Sequence, residues 1–162
     1  MIVAVIADTH LPRGRRRLPS ACLEAIAASE LLLHAGDIAT ASALEELRSL
    51  GPPVEAVCGN ADDAKLCRAL PARLELTVGH VKLGVIHDAG PARGRLARMR
   101  ELFPAADAVV FGHTHAPTLL GDSGFQVFNP GSPTERRRAP HRSMGIAEVN
   151  GGRIAFQHIA LA

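Results

Sequence analysis

The sequence predicts a mixed α/β sandwich, and three observations carry that prediction. Short β-branched runs alternate with alanine- and leucine-rich stretches early in the chain, later runs pair across tight turns, and Asp, Asn and His residues recur at strand ends. Strands separated by helices pair in parallel through crossovers, whereas strands joined by a two-residue turn are antiparallel. Both kinds of connection occur here, so the sheets are mixed.

Ile2 to Ala7 is a short apolar run ended by a polar cluster, which reads as a buried strand. After a loop from Leu11 to Pro19, Ala21 to Ser29 reads as a helix and Leu31 to His34 as a strand that closes at Ala35-Gly36-Asp37. Ser42-Ala-Leu-Glu45 has the form of a capping box, so a helix starts there and runs to Leu50, where Gly51-Pro52 ends it. Val54 to Val57 is a third strand, ending at Gly59-Asn60. Leu74 to Val78 and Val81 to Ile86 flank Gly79-His80 with hairpin spacing. Pro91 to Phe103 reads as an arginine-rich helix, Ala108 to Phe111 as a strand, and Leu119-Leu120 with Phe125 to Phe128 as a pair around the Gly121–Gly124 turn. Asn129 to Ser143, rich in Pro, Gly and Arg, is a long surface loop, and a last hairpin joins Met144 to Val149 with Arg153 to Ile159.

Apolar residues at 47% and charged residues at 21% of 162 positions argue for one packed domain spanning 1–162 rather than a disordered or membrane chain. A formal charge of +2, no Trp or Tyr and only five Phe disfavour nucleic acid as a partner, since backbone-tracking charge and stacking platforms are both scarce. Cys22, Cys58 and Cys67 are an odd number without metal-type pairing, so no disulfide is expected and a reducing, cytoplasmic setting is the simpler reading. No run reaches membrane-spanning length, and Met1 to Ala7 lacks a basic flank, so no membrane association is expected. The residues leave the oligomeric state open, a homodimer or larger assembly included.

Function is written in the strand ends. Asp8 and His10, Asp37, Asn60, His87, and His113 and His115 each follow a predicted strand directly, and in α/β sheets that edge forms the ligand crevice. Seven oxygen and imidazole donors at one edge suffice for two cations, with Asp37 on its Gly-Asp turn as the natural carboxylate bridge. Asp8 and His10, two apart on an extended segment, are expected to point the same way, and His113 and His115 to repeat that geometry.

The ordered series Ile6-Ala-Asp-Thr-His10, His34-Ala-Gly-Asp37, Val57-Cys-Gly-Asn-Ala-Asp62, Ile86-His87, Phe111-Gly-His-Thr-His115 and Asn129-Pro-Gly-Ser132 resembles the calcineurin-like metallophosphoesterases, in particular their YfcE-like phosphodiesterase branch. The resemblance covers nearly the whole chain. It implies a four-layer α-β-β-α sandwich, one cation held by Asp8, His10, Asp37 and His115, and another by Asp37, Asn60, His87 and His113. It further implies two divalent ions, Mn²⁺ first, with Fe, Zn or Ni as alternatives, and hydrolysis of a small phosphodiester by in-line attack of a hydroxide shared between them. Asp37, Asn60 and His113 are the residues it assigns to catalysis.

Two departures qualify the match. Many relatives carry a His directly after the metal-binding Asn, whereas this chain has Ala61, which suits diesters or good leaving groups. The neighbours of His87 are Asp88-Ala-Gly rather than Gly-His, and Asp88 reads as a turn residue or a substrate-facing group. Asp62 is a candidate support for the ligands or a helix cap, and His34 a candidate support or a core histidine. Arg13 with Arg15, Arg16 and Arg17 is a candidate rim that attracts anions, or a solvated loop. Asn129 to Ser132 resembles a loop beside the metal site whose backbone N–H groups hold ligands or phosphate. Thr9 and Thr114 receive no role, and His80, His141 and His158 are assigned to the surface. The rival readings are a non-catalytic protein-binding scaffold of the same fold, as in the retromer subunit that resembles this family, and a phosphomonoesterase or nuclease.

Overall fold

A computed structural model describes residues 1–12, 14–122 and 124–162 and consists of two five-stranded sheets packed face to face between helices. In chain order the elements are β1 (Ile2–Ile6), α1 (Ser20–Ala27), β2 (Leu31–His34), α2 (Ala41–Arg48), β3 (Val54–Ala56), α3 (Ala64–Ala69), β4 (Arg73–Val78) and β5 (Val81–Ile86). Then follow α4 (Arg95–Leu102), β6 (Ala108–Val110), β7 (Thr118–Asp122), β8 (Phe125–Asn129), β9 (Arg142–Asn150) and β10 (Arg153–Leu161).

The first sheet has the order β10-β9-β1-β2-β3 and the second β4-β5-β6-β8-β7. β1, β2 and β3 are parallel, while β9 runs antiparallel to β1 and brings the end of the chain beside its beginning. In the second sheet β5, β6 and β8 are parallel, and the β4–β5 and β7–β8 hairpins close the two edges.

Side-chain alternation sorts the core into layers. Val3, Val5, Leu31 and Leu33 meet Leu83, Val85, Val110 and Phe128 between the sheets. Their neighbours Ala4, Ile6 and Leu32 face outward onto Cys22, Ile26, Leu44, Leu47 and Leu66 of α1–α3, and Val109 and Val127 face Met99 and Phe103 at α4. The result is the four-layer α-β-β-α arrangement. The helices have six to eight residues, too few to hold together alone, so their stability comes from this burial, on the order of 1.5–3 kcal/mol per enclosed aliphatic or aromatic side chain.

Several local readings are corrected. α2 is capped by Thr40, whose hydroxyl accepts from Ala43 N–H at 3.2 Å, instead of by Ser42. α3 escaped the sequence reading because it is six residues long and buries only Leu66; Asp63 caps it through Leu66 N–H at 2.7 Å. α4 begins at Arg95, later than Pro91, because Arg95 and Arg98 turn back to donate to the carbonyls of Gly90, Ala89 and Pro91 and keep that segment a loop. Cys58 and Cys67 form a disulfide, against the expectation of none: α3 folds back over the segment that leaves β3 and brings the two Cα atoms within 5.1 Å. Cys22 stays free and buried, so the odd cysteine count gives no support to a reducing compartment. Among the described residues no helix is long and apolar enough to cross a membrane.

Candidate metal centre

All seven donor-type residues gather at the carboxyl ends of β1, β2, β3, β5 and β6, on the loops that leave those strands. The loops achieve this through strain. Asp8, His10, Asp37, His113 and His115 all have left-handed backbone conformations, with φ between 47° and 68°, where an L side chain costs roughly 1 kcal/mol or more. Asp8 and His10 therefore do not converge as alternate residues of an extended strand, as the sequence suggested; two consecutive left-handed turns aim them. His113 and His115 take the same pair of left-handed conformations, but their side chains diverge towards opposite halves of the site instead of pointing the same way.

In one half, His115 Nε2 lies 3.5 Å from Asp8 Oδ1 and 3.3 Å from His10 Nε2, and His10 Nε2 lies 3.6 Å from Asp37 Oδ2. In the other, Asn60 Oδ1 is 3.0 Å from His87 Nε2 and 2.9 Å from His113 Nδ1, and His87 Nε2 is 3.4 Å from Asp37 Oδ1. Ligand atoms that share one cation at about 2.1 Å are spaced about 3.0–3.4 Å apart along the edges of a tetrahedron or octahedron. The observed spacings, 2.9–3.6 Å, bracket that range. Two further features suit a cation: Asp8 Oδ2 is buried without a hydrogen-bond partner, and two carboxylates, an amide and four imidazoles form the mixed oxygen and nitrogen set that first-row divalent metals favour.

The ring orientations are fixed from behind. His87 Nδ1 bonds the Ala35 carbonyl at 2.8 Å and His115 Nδ1 the Glu135 carbonyl at 3.1 Å, which turns each Nε2 inward. Burial pushes the Asp8 carboxyl up to about 7, helped by the Asp37 charge and opposed by His87, the His113 N–H and Arg137. At Asp37 burial also opposes ionisation, but the hydrogen bonds from His87 and Ala61 N–H and the charges of His87 and His10 outweigh it and hold the group at about 2. Burial lowers His115 to about 4; His87 is raised, because its bonds to Asp37 and the Ala35 carbonyl overcome burial. The pocket is enclosed at Asp8, His10 and His115 and opens at Asn60 and His113, whose side chain is 43% exposed.

Several supporting residues take definite positions. Asp62 is no helix cap: its carboxylate accepts from Ala39 N–H and Gly59 N–H at 2.7 Å each and from Asp37 N–H at 3.2 Å, tying the Asp37 and Asn60 loops together. His34 is wholly buried, lowered to about 3 by burial, and bonds Thr9 Oγ1 at 2.9 Å, so it steadies the Asp8–His10 turn. Thr9, left without a role above, is thus part of the scaffold. The Asn129–Ser132 turn is tied to the donor loops by its side chains: Asn129 Nδ2 donates to Gly112 O and Thr114 Oγ1, and Ser132 Oγ donates to Asp8 O, buckling two donor loops. Asp88 caps its own turn through Gly90 N–H at 2.7 Å and also sits 4.0 Å from His113 Nε2. His158, expected at the surface, is half-buried, stacked on Phe128 and bonded to Asn129 O.

Arg13 lies outside the described residues. Arg15, Arg16 and Arg17 line a cleft to which none of the seven donors contributes, and Arg16 pairs with Glu135 at 3.2 Å. Arg136–Arg138, which the sequence shows as a second arginine cluster without linking it to the donors, share a cleft with His115.

The profile of the calcineurin-like phosphoesterase superfamily domain matches residues 1–152. A probable metallophosphoesterase of Methanothermobacter thermautotrophicus is 37% identical over 139 residues, covering 85% of this chain and 80% of that one. Among solved structures, an archaeal phosphodiesterase superposes with a TM-score of 0.75 at 20% identity over 99% of this chain and all of its own. Wild-type Vps29 of Entamoeba histolytica complexed with Zn²⁺ superposes with a TM-score of 0.77 at 23% identity over 99% of both chains. At those identities the two structures speak for the fold.

Proposed function

The chain belongs to the calcineurin-like phosphoesterase superfamily, and from that premise we propose that it is a phosphodiesterase working with two divalent cations, Mn²⁺ first among them. Membership supports phosphoester hydrolysis as the chemistry. The observation that carries the finer reading is Asp37, whose two oxygens face separate groups of donors.

Asp8, His10, His115 and Asp37 Oδ2 would hold one cation, and Asn60, His87, His113 and Asp37 Oδ1 the other. When bound, the pair lowers the pKa of a water and neutralises charge building on a phosphoryl oxygen. The residues themselves position and exclude. Left-handed loops fix the donors in advance, burial around Asp8 keeps bulk water from one flank, and the open side at Asn60 and His113 admits substrate. The methyl group of Ala61 follows Asn60 and can donate no proton to a departing oxygen, which favours diesters with good leaving groups over alkyl monoesters.

The test is turnover. Protein purified without added metal and then loaded with Mn²⁺ should hydrolyse bis-p-nitrophenyl phosphate, with p-nitrophenyl phosphate a poorer substrate, and His113→Ala should reduce the rate by at least about 10²-fold. Absence of turnover with Mn²⁺, Fe²⁺, Zn²⁺ and Ni²⁺ alike would favour a non-catalytic scaffold. A preference for the monoester would replace diesterase by monoesterase.

A further inference from the structure

Resting on the hydrolase reading, we propose that the cleft between Arg136–Arg138 and Thr114–Pro117 binds a second phosphate of the substrate, which makes the natural substrate a phosphodiester carrying an additional anionic group. The cleft has a volume of about 780 Å³, and His115 forms part of its wall, so it adjoins the donor cluster at that residue.

The loop that bears the arginines is anchored to the donors at several points. Ser132 Oγ donates to Asp8 O at 2.8 Å, Thr134 Oγ1 to Thr9 O at 2.9 Å, and the Glu135 carbonyl is bonded to His115 Nδ1 at 3.1 Å. A turn from Arg136 O to Ala139 N–H, 2.8 Å, then brings Arg137 round. Arg137 takes a left-handed conformation, φ 46°, that glycine would adopt without cost, and its charge is felt at both Asp8 and His115.

The charge of this loop is not spent within the protein. Arg136 donates to Ala139 O, but among the described residues Arg137 and Arg138 have no hydrogen bond or ion pair, and the adjacent Glu135 carboxylate is engaged by Arg16. Asp8 and Asp37 are the two carboxylates among the seven donors, so two divalent cations leave two positive charges, which a hydroxide and a monoanionic diester together offset. The arginines add more beside them. A substrate with a further phosphate balances this excess, and guanidinium groups pair with phosphate oxygens in a fork that suits them to that task. Pro117 and Pro140 line the same cleft and offer apolar surface to the organic part between the phosphates.

The deciding comparison uses two p-nitrophenyl esters of thymidine 5′-phosphate that differ only in a 3′-phosphate. Wild type should prefer the 3′-phosphorylated ester about 10- to 100-fold in kcat/KM, and that ratio should fall to about one in R137A/R138A and recover partly in R137K/R138K. Because the readout is a ratio, damage to the metal centre cancels from it. A wild-type ratio near one, or a ratio that survives in R137A/R138A, overturns the proposal. Calorimetry on the Mn²⁺-loaded protein gives a reading without turnover: thymidine 3′,5′-bisphosphate should bind at least about tenfold more tightly than thymidine 5′-monophosphate, and equal affinity overturns the subsite. Failure of every ester to turn over while this binding difference persists would sink the hydrolase reading and leave the subsite standing.

Discussion

Asp37 presents Oδ2 to His10 Nε2 at 3.6 Å and Oδ1 to His87 Nε2 at 3.4 Å, so one carboxylate addresses both halves of the donor cluster. Its backbone is held left-handed at φ 61°, and its Oδ1 is further fixed by Ala61 N–H at 2.7 Å. Replacing it by Asn leaves the shape but turns one oxygen into an NH₂ that repels a cation. Asp37→Asn should lower the tightly bound metal, measured by mass spectrometry after gel filtration, from two equivalents to one or fewer, and reduce kcat by about 10³-fold or more. Two retained equivalents would remove Asp37 from the bridge.

Asp62 acts one step behind. Its three N–H partners belong to Asp37, Ala39 and Gly59, so Asp62→Ala leaves three backbone donors without their acceptor. The expected loss is about 2–4 kcal/mol of folding stability in urea titrations, with metal affinity weakened about 10- to 100-fold, because the spacing of Asp37 and Asn60 is no longer fixed. Asp62→Asn, which keeps one acceptor, should recover part of both. A variant that is destabilised but binds metal as tightly as wild type would show that Asp62 serves the fold alone.

Glycine at position 59 is required by contact. A Cβ there would come within 2.2 Å of Asp37 Oδ1 and 2.3 Å of Asp37 N, and neither atom can retreat without moving the donor loop. Gly59→Ala should therefore abolish metal retention, read by the same metal analysis, while the far-ultraviolet circular dichroism of the two sheets is kept. Normal metal content in that variant would contradict the geometry around Asp37.

Much of this was legible in the sequence. The strands were readable because buried strands are continuous apolar runs, and Asp8, Asp37, Asn60, His87 and His113 stood out because each follows such a run. Their directions were not readable. Left-handed turns at Asp8, His10, His113 and His115 depend on support from the rest of the fold, through bonds such as Ser132 to Asp8 O and Asn129 to Gly112 O that span well over a dozen residues. For the same reason α3 and the Cys58–Cys67 link were missed: both arise from a chain reversal after β3 that leaves no periodic signal. Arg136–Arg138 looked like any solvated run until the Glu135–His115 bond brought that loop to the donors.

The metal-free protein should be most stable near pH 6.5. Burial lowers His34 to about 3 and His115 to about 4 from 6.5, so each is protonated in the unfolded chain but not in the folded one across the interval from about 4 to 6.5. Asp8, raised from 3.8 to about 7, holds a proton only in the folded state over that interval. Two protons against one gives a net gain of about 1.4 kcal/mol per pH unit as pH rises. Above 6.5 the two histidines no longer differ between states, whereas Asp8 and the raised His87 still favour the protonated fold, so stability falls as pH passes through 7. Bound Mn²⁺ should remove that fall, since it requires Asp8 ionised and His87 neutral. Urea titrations of chelator-treated protein from pH 4 to 8 measure this, and a metal-free curve that keeps rising from pH 6 to 8 would refute the assignment of Asp8.

The Cys58–Cys67 link closes a loop of sequence separation 9 that contains Asn60 and Asp62. Closing so short a loop restricts the unfolded chain by an amount worth on the order of 2–3 kcal/mol, and for a domain of this size that corresponds to roughly 5–10 °C in melting temperature. Reduction should lower the melting temperature by that amount, and a Cys58→Ser, Cys67→Ser double variant should melt at the lower value with or without reductant. Because Asn60 lies inside the loop, its carbonyl should also become less well placed between His87 and His113, so the weaker of the two metal equivalents should dissociate first in the reduced protein. Calorimetry with and without dithiothreitol, with metal analysis of the same samples, tests both claims, and identical melting curves would mean that the link contributes nothing to stability.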